Sequence, residues 1–185
     1  MTVTKIFPLD FFIKIRPPNF QEILSEVNKI ESKVDLNEKN DHSWGGNCNV
    51  KTVSLDKDKW IRFLNPAIKQ FSIQVGINHL VSIDEPWINF YKRNYFQEVH
   101  HHVNSDFATV LCLNSGENFA RFYFQNRLAG LIPPKVKELA GIGDSWYPSM
   151  ESGDMLFFPS YLLHGVTPHQ SDDIRKTLSF NITIL

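Results

Sequence analysis

The segment at residues 175–185 reads RKTLSFNITIL and alternates between polar and apolar side chains from Thr177 onward. Successive side chains of a β-strand point to opposite faces, so this pattern predicts a strand with two unlike faces. Burying polar side chains costs free energy unless they line a wet cavity. The strand is therefore predicted to lie between a core and a pocket. The predicted polar face carries Arg175, Thr177, Ser179 and Asn181, and the other face carries Lys176, Leu178, Phe180 and Ile182.

Further short segments rich in aromatic and β-branched residues begin after Pro86 and are separated by glycine and proline turns. Such spacing is typical of a β-sandwich or barrel. The long segment 126–152 contains no clear strand pattern and is predicted to be an insertion or lid over a site. The predicted strands are WINFY at 87–91, FQEVHHH at 96–102, FATVLCL at 107–113, ARFYF at 120–124, DMLFF at 154–158 and LLHGV at 162–166.

The first half of the chain carries helical periodicity instead. Apolar residues recur every three or four positions over 20–34 and again over 60–75, where Pro66 is expected to bend the helix or start a new one. Residues 4–16 suggest an entry strand, and the polar, glycine-containing segment 35–49 suggests a loop. Trp60 and Phe71 are predicted core residues. We therefore expect one domain over 1–185, with a largely helical support region (1–85) and a β-barrel core (86–185).

Composition excludes several classes of protein. The 185 residues are 42% hydrophobic, which excludes a disordered chain. Nineteen basic and 20 acidic residues give a net charge of −1, which offers no field for binding nucleic acid. Cys48 and Cys112 do not form a metal-binding pair, and no apolar run is long enough for a membrane helix. A soluble protein in a reducing, cytoplasmic compartment is expected, with no membrane partner.

The seven histidines are unevenly distributed. His100 and His102 are two residues apart at the end of a predicted strand, so they share a face, and His101 points away. His164 lies on a distant strand and can meet them. Three such ligands leave half of a six-coordinate metal open, as non-haem Fe(II) oxygenases require for co-substrate and dioxygen. The remaining histidines are expected in loops or at the surface: His42, His79 and His169.

Arg175 follows His164 by 11 residues and is predicted to lie deeper in the same cavity. A guanidinium group there matches a carboxylate through two parallel hydrogen bonds. The alternative is a surface arginine in the basic pair Arg175-Lys176. The alternation of the strand favours Arg175 inside and Lys176 in solvent.

At these residues the chain resembles the 2-oxoglutarate- and Fe(II)-dependent oxygenases. It looks most similar to a short, prolyl-4-hydroxylase-like group found in tailed phages of marine bacteria. The resemblance covers most of the chain. The matching positions are His100-x-His102, Asn104-Ser105, Gly153-Asp154, Phe158-Pro159-Ser160, His164, Thr167-Pro168, Arg175-x-Thr177 and Phe180-Asn181, together with Trp44, Trp87-x-Asn89 and Tyr91.

The resemblance implies a mainly β fold, a double-stranded β-helix or jelly-roll barrel with packed N-terminal helices. It implies Fe(II) at His100, His102 and His164, and 2-oxoglutarate with its far carboxylate on Arg175 and Thr177. The expected reaction hydroxylates a C–H bond of a protein side chain, such as prolyl, or of a small molecule, and releases succinate and CO2. A phage-encoded protein would act in the host cytoplasm.

Two positions depart from the family pattern. Relatives usually carry an acid two residues after the first histidine, where this chain has His102; Asp106 is the nearby acid that could serve instead. Relatives often carry a tyrosine that contacts the co-substrate on the next strand, where this chain reads Leu111-Cys112-Leu113. The first departure removes a negative charge from the site, which should weaken Fe(II) binding or raise its potential.

Two other functions remain open from the residues. One is a three-histidine, cupin-type dioxygenase that binds its substrate directly on iron without 2-oxoglutarate. The other is a non-catalytic metal-binding jelly-roll module. The substrate and the oligomeric state do not follow from the sequence. Several aromatic side chains are expected in the core, with a substrate groove as the alternative: Trp87, Tyr91, Phe122, Phe124 and Trp146.

Overall fold

The computed structural model describes residues 10–36 and 50–185. Its helices are α1 (Phe20–Glu31), α2 (Lys57–Val75) and α3 (Pro134–Ala140). The strands of the first half are β1 (Ile13–Ile15), β2 (Lys51–Ser54), β3 (Val81–Ile83), β4 (Trp87–Tyr91) and β5 (Gln97–His100). Those of the second half are β6 (Phe107–Cys112), β7 (Phe122–Gln125), β8 (Ser145–Trp146), β9 (Met155–Pro159), β10 (His164–Val166), β11 (Arg175–Ser179) and β12 (Asn181–Ile184).

Two antiparallel sheets form the barrel. The larger one runs β1-β9-β6-β11-β4-β2, and β12 joins it by pairing with β6 and β3; the smaller one runs β5-β10-β7-β8. One apolar cluster draws side chains from both sheets and therefore lies between them: it includes Tyr91, Val110, Leu156 and Phe158 from the larger sheet and Phe122, Phe124 and Val166 from the smaller. The predicted double-stranded β-helix fold is confirmed.

The opposite face of the larger sheet packs against the helices. Leu178, Phe180 and Ile182 lie in one buried cluster with α1 and α2 side chains. Trp60 and Phe71 of α2 belong to this cluster and are fully buried, as predicted. The helices thus cover the outside of the barrel and leave its interior to the second cluster.

Helix α2 runs through Pro66 without interruption, so the alternative of a new helical segment is wrong. A proline inside a helix removes one backbone donor and disturbs the carbonyls of the preceding turn. The Asn19 side-chain amide donates a hydrogen bond of 3.0 Å to the carbonyl of Phe63 in that turn. The chain before α1 therefore helps to satisfy the backbone where the proline weakens the helix.

Every segment predicted as a strand from Pro86 onward contains one, and the last segment, predicted as one strand, forms both β11 and β12. The strands that the sequence did not predict are the two-residue β8 and the strands β2 and β3, which are short and only partly buried. Strands β2 and β3 pair with the larger sheet, as does β1, so the first 85 residues supply strands as well as helices. Segment 126–152 contains α3, none of whose side chains is buried, and the two-residue β8. Residues 4–9 of the predicted entry strand and residues 37–49 of the predicted loop lie outside the described residues, as do His42, Trp44 and Cys48.

Candidate metal centre and co-substrate pocket

Neighbouring strands of the smaller sheet bring the first two predicted ligands together. His100 ends β5 and lies directly opposite His164 of β10, with ring centroids 4.3 Å apart. The residue after His164 is Gly165, where an added Cβ would lie only 2.9 Å from the Tyr123 hydroxyl. A glycine therefore allows β10 to pack closely against β7 at the histidine site.

His102 completes the group from the loop that follows β5. Its backbone N–H donates a hydrogen bond of 2.9 Å to the Ser160 carbonyl, and its ring centroid lies 5.3 Å from those of His100 and His164. One potential ligand atom from each of the three rings lies within 4.8 Å of the others. Three side chains that the sequence places far apart are thus gathered around one point.

Hydrogen bonds set the tautomers of two of these rings. Nδ1 of His100 lies 2.8 Å from the Glu98 carbonyl, and Nδ1 of His164 lies 2.8 Å from the Leu162 carbonyl. A carbonyl oxygen can only accept, so Nδ1 carries the proton and donates in each ring. Nε2 of each ring is then the nitrogen without a proton, which is the one that can bind a metal, and the backbone contact holds the ring in position.

The surroundings also keep all three rings neutral. Burial lowers the pKa of His164 well below its usual range, and the neighbouring His100 adds to this effect. Burial likewise lowers the pKa of His100, and it lowers that of His102 to about 4. A neutral imidazole is the form that binds a metal, so near neutral pH no proton has to be displaced first.

The alternative ligand Asp106 does not join the group. Its carboxylate accepts a hydrogen bond of 2.7 Å from the Ile184 backbone N–H, and the side chain is exposed. Among the described residues, the potential metal ligands brought together are His100, His102 and His164. The structure therefore places His102, and not Asp106, at the third position.

Aromatic rings enclose the histidines on the side of the barrel interior. The rings of Phe158 and Phe122 lie 4.9 and 5.6 Å from that of His164. Trp87 approaches from the larger sheet, with its ring 6.1 Å from that of His102. Tyr91, Phe122 and Phe124 are buried, as predicted for core residues, whereas Trp146 is largely exposed and that prediction is wrong.

Arg175 lies inside the barrel on β11. It is 3% exposed, and its guanidinium carbon lies 4.6 Å from the centre of the Tyr91 ring. The Tyr91 hydroxyl donates a hydrogen bond of 2.5 Å to the Gln97 side chain on β5. Arg175 is thus stacked on a tyrosine whose hydroxyl is hydrogen-bonded to β5, the strand that carries His100. The sequence did not predict this contact of Gln97.

Unpartnered polar atoms mark this part of the interior. Nη1 of Arg175 and Oγ1 of Thr177 are buried and have no hydrogen-bond partner within the described part of the chain. Leaving such atoms unsatisfied is costly, and native proteins do so rarely. The two atoms belong to side chains on the same face of β11, so one anionic group could satisfy both.

A pocket of about 580 Å³ reaches Arg175 from the exterior. Cys112 and Phe122 line its inner part, and its rim includes Gly116, Asn118, Phe119, Ala120 and Arg121. None of the described lining residues is acidic. Burial raises the pKa of the Cys112 thiol, which therefore stays neutral. Pro148, Ser149 and Met150, at the end of the predicted lid segment, also border this pocket.

Other predicted positions differ in outcome. Lys176 points out of the barrel as expected, but it is not simply solvated: its Nζ lies 2.7 Å from a Glu31 carboxylate oxygen of α1. His79 and His101 are exposed. The prediction of a surface position for His169 is wrong, because this residue is 0% exposed.

His169 is buried because both ring nitrogens have backbone partners. The Ala120 N–H donates to Nδ1 over 3.0 Å, and Nε2 donates to the Asp173 carbonyl over 2.7 Å. Its own backbone bonds to Tyr95 and Asn94. The polar sequence around His169 gave no sign of this role, since Ala120 comes from a distant segment of the chain.

The interior fits a metal ion together with a carboxylate co-substrate. Three neutral imidazoles converge, and a buried cation and hydroxyl lack partners on the facing sheet. Two imidazole ligands in a jelly-roll barrel with a third ligand beside them are typical of non-haem metal oxygenases. The fold and the site therefore define a barrel of the oxygenase class.

Comparison with known proteins identifies the family. A family model described as "Putative 2OG-Fe(II) oxygenase" matches residues 85–181. The match spans more than half of the chain and contains all three histidines, Arg175 and Thr177. The chain belongs to this 2OG-Fe(II) oxygenase family, which is a family of enzymes. No protein of curated function matches the chain by sequence.

Solved structures share the fold at low sequence identity. A 2OG-Fe(II) oxygenase family oxidoreductase from Burkholderia pseudomallei has a TM-score of 0.66 at 10% identity, covering 93% of this chain and 84% of its own. A prolyl-4-hydroxylase from Pseudomonas putida has 0.64 at 12%, covering 94% and 92%. HygX from Streptomyces hygroscopicus, with nickel, 2-oxoglutarate and hygromycin B bound, has 0.66 at 11%, covering 94% and 82%.

Among the described residues, no helix combines the length and the apolar character needed to cross a bilayer.

Proposed function

We propose that the protein is an Fe(II)- and 2-oxoglutarate-dependent dioxygenase that hydroxylates a C–H bond. His100, His102 and His164 hold the metal, and Arg175 with Thr177 binds the far carboxylate of 2-oxoglutarate. The observation that carries the proposal is the pair of buried, unpartnered atoms, Arg175 Nη1 and Thr177 Oγ1, inside the barrel that also holds the histidines.

Some residues of the site bind the metal and the co-substrate, and others exclude water from the barrel interior. Nδ1 donation to backbone carbonyls directs Nε2 of His100 and His164 at the ion. The guanidinium group of Arg175 provides two parallel donors for a carboxylate, and its stacking on Tyr91 keeps the fork oriented. When bound, the metal and the keto acid would react with dioxygen, so that one oxygen atom enters succinate as CO2 is released and the other hydroxylates the substrate. The phenylalanine rings around His164 exclude water from the interior.

We infer that the whole of residues 1–185 forms one such oxygenase domain, with 1–85 as support and 86–185 as the metal-binding core. The substrate is a protein side chain, with prolyl as one candidate, or a small molecule. Relatives of similar fold support both options, since one is a prolyl-4-hydroxylase and another was solved with hygromycin B. The motif pattern supports a place in the phage-associated group, with activity in the host cytoplasm.

A second function is supported by one observation. The described residues bring three histidines together and no carboxylate, which is also the ligand set of a cupin-type dioxygenase that binds its substrate directly on the metal. Such an enzyme has no need of a buried, unpartnered arginine. Formation of succinate from 2-oxoglutarate separates the two functions.

The test is anaerobic reconstitution with Fe(II) and 2-oxoglutarate. We expect the weak visible charge-transfer band of a metal-bound keto acid in the wild-type protein, and its loss in His164→Ala. The exposed His101→Ala serves as the matched control and should keep the band. Absence of the band in the wild type, or its persistence in His164→Ala, would overturn the proposal.

A further inference from the structure

We propose that His102 is the exchangeable ligand of the metal centre. On this view His100 and His164 hold the ion throughout, and His102 can leave it and be replaced by a small external ligand without loss of the metal. The inference rests on the proposed metal site and adds an unequal role for its three histidines.

The rings of His100 and His164 are held in place by backbone hydrogen bonds. His100 and His164 lie opposite each other on paired strands, and each Nδ1 is 2.8 Å from the carbonyl of the residue two positions earlier. Such a contact fixes the tautomer, restricts rotation of the ring and raises the basicity of Nε2. Both rings are therefore oriented for the ion before it binds.

The ring of His102 has no such hydrogen bond to a backbone carbonyl of the described residues. Strand β5 ends at His100, so His102 lies in the loop beyond it, and its backbone is held by the Ser160 carbonyl. Within the described ranges 10–36 and 50–185, no hydrogen bond of the protein involves the His102 ring. The ring packs against those of Trp87, His100 and His164, and no hydrogen bond to the described residues fixes its rotation about χ1 and χ2.

The type of ligand also matters for release of His102. Removing a carboxylate ligand from a divalent ion would separate opposite charges, and that cost is high at a site of low dielectric constant. An imidazole that binds a metal is neutral, so the departing ring carries no charge. Its departure therefore costs one coordination bond and no charge separation.

These three points predict unequal losses of metal affinity. Removal of an oriented ligand also removes the benefit of its second contact, which is worth about 10–100-fold in affinity. For Co²⁺ measured by titration calorimetry, we expect His102→Ala to lose about 10-fold, and His100→Ala and His164→Ala each to lose about 10–100-fold more than that. Added imidazole should restore the cobalt absorption spectrum of His102→Ala, because the truncated side chain leaves a space of that shape.

The wild-type protein provides a test that needs no variant. In the Zn²⁺-loaded form, NMR of the imidazole nitrogens should show sharp, metal-shifted signals for His100 and His164 and exchange broadening for His102. Equal losses of Co²⁺ affinity in the three variants, or three equally sharp histidine signals, would overturn the inference. If either of these results is found while the wild type still forms the keto-acid band, only the unequal roles of the histidines are rejected. If the wild type binds no metal, both the unequal roles and the proposed function are rejected.

Discussion

The two faces of β11 are both largely buried but differ in whether their polar side chains have partners. On the outer face, Leu178 is enclosed by the helix-packed core, and Lys176 pairs with Glu31. On the inner face, Arg175 and Thr177 are as deeply buried, yet each has a polar atom without a partner. The same strand therefore stabilises the fold with one face and presents an incomplete set of contacts with the other.

In the proposed function, this difference separates side chains that stabilise the fold from side chains that bind 2-oxoglutarate. An unsatisfied buried polar group costs about 1–3 kcal/mol, so the inner face lowers the stability of the free protein. A ligand that completes the contacts regains that free energy on binding. Substitutions on the inner face should therefore affect binding, and substitutions on the outer face should affect stability.

The largest effect is expected for Arg175→Ala. Loss of a buried charged partner should weaken 2-oxoglutarate binding about 1,000-fold, or about 4 kcal/mol, and leave Fe(II) or Co²⁺ affinity within a few-fold. Titration of the keto-acid absorption band and metal calorimetry measure the two quantities. Arg175→Met, which keeps the stem against Tyr91, is the control for packing. Equal loss of metal and co-substrate binding would indicate a folding role instead.

Next comes Leu178→Ala on the outer face. Truncating a fully buried leucine should lower the free energy of unfolding by about 3 kcal/mol through lost burial and a residual cavity. Denaturant unfolding measures this change. The folded protein should bind 2-oxoglutarate with unchanged affinity, and a large loss of affinity would mean that the two faces are coupled.

For Thr177→Val we expect smaller effects than for Leu178→Ala and the opposite pattern: affinity for 2-oxoglutarate falls, and stability does not. Valine has nearly the same shape and removes the unpartnered hydroxyl, so the free energy of unfolding should stay equal or rise by up to about 1 kcal/mol. Affinity for 2-oxoglutarate should fall about tenfold, since one hydrogen bond to the carboxylate is lost. Unchanged affinity would remove Thr177 from the binding site.

The smallest effect is expected for Lys176→Ala. Its ion pair with Glu31 is partly exposed, and pairs of this kind contribute about 1 kcal/mol or less. Unfolding at low and high salt should show a small loss that screening reduces further. Glu31→Ala should give the same loss, and additive losses in the double variant would show that the pair does not interact.

The alternation in residues 175–185 was enough to predict both faces of β11 and β12. The spacing of His100 and His102 was likewise enough to place them near each other, because strand geometry is local. Strands β2 and β3 were not predicted, since four- and three-residue segments carry too little alternation and are stabilised by pairing with distant strands.

Contacts between distant segments explain the remaining differences. His169 lies in a polar stretch, and only the approach of Ala120 and Asp173 makes it a core residue. The contact between Tyr91 and Gln97, and the preference for His102 over Asp106, also depend on how the loops close. The sequence could name candidate residues for these contacts, but which of them come together depends on the folded barrel.

The strand order has a consequence for synthesis of the protein on the ribosome. Strand β11 lies between β4 and β6, and β12 lies between β3 and β6, so the strands made last occupy the middle of the larger sheet. Until residues 175–184 emerge, the nascent chain exposes the edges of β4 and β6, which can pair with other chains. Holding the chain on the ribosome before this segment emerges should therefore increase aggregation.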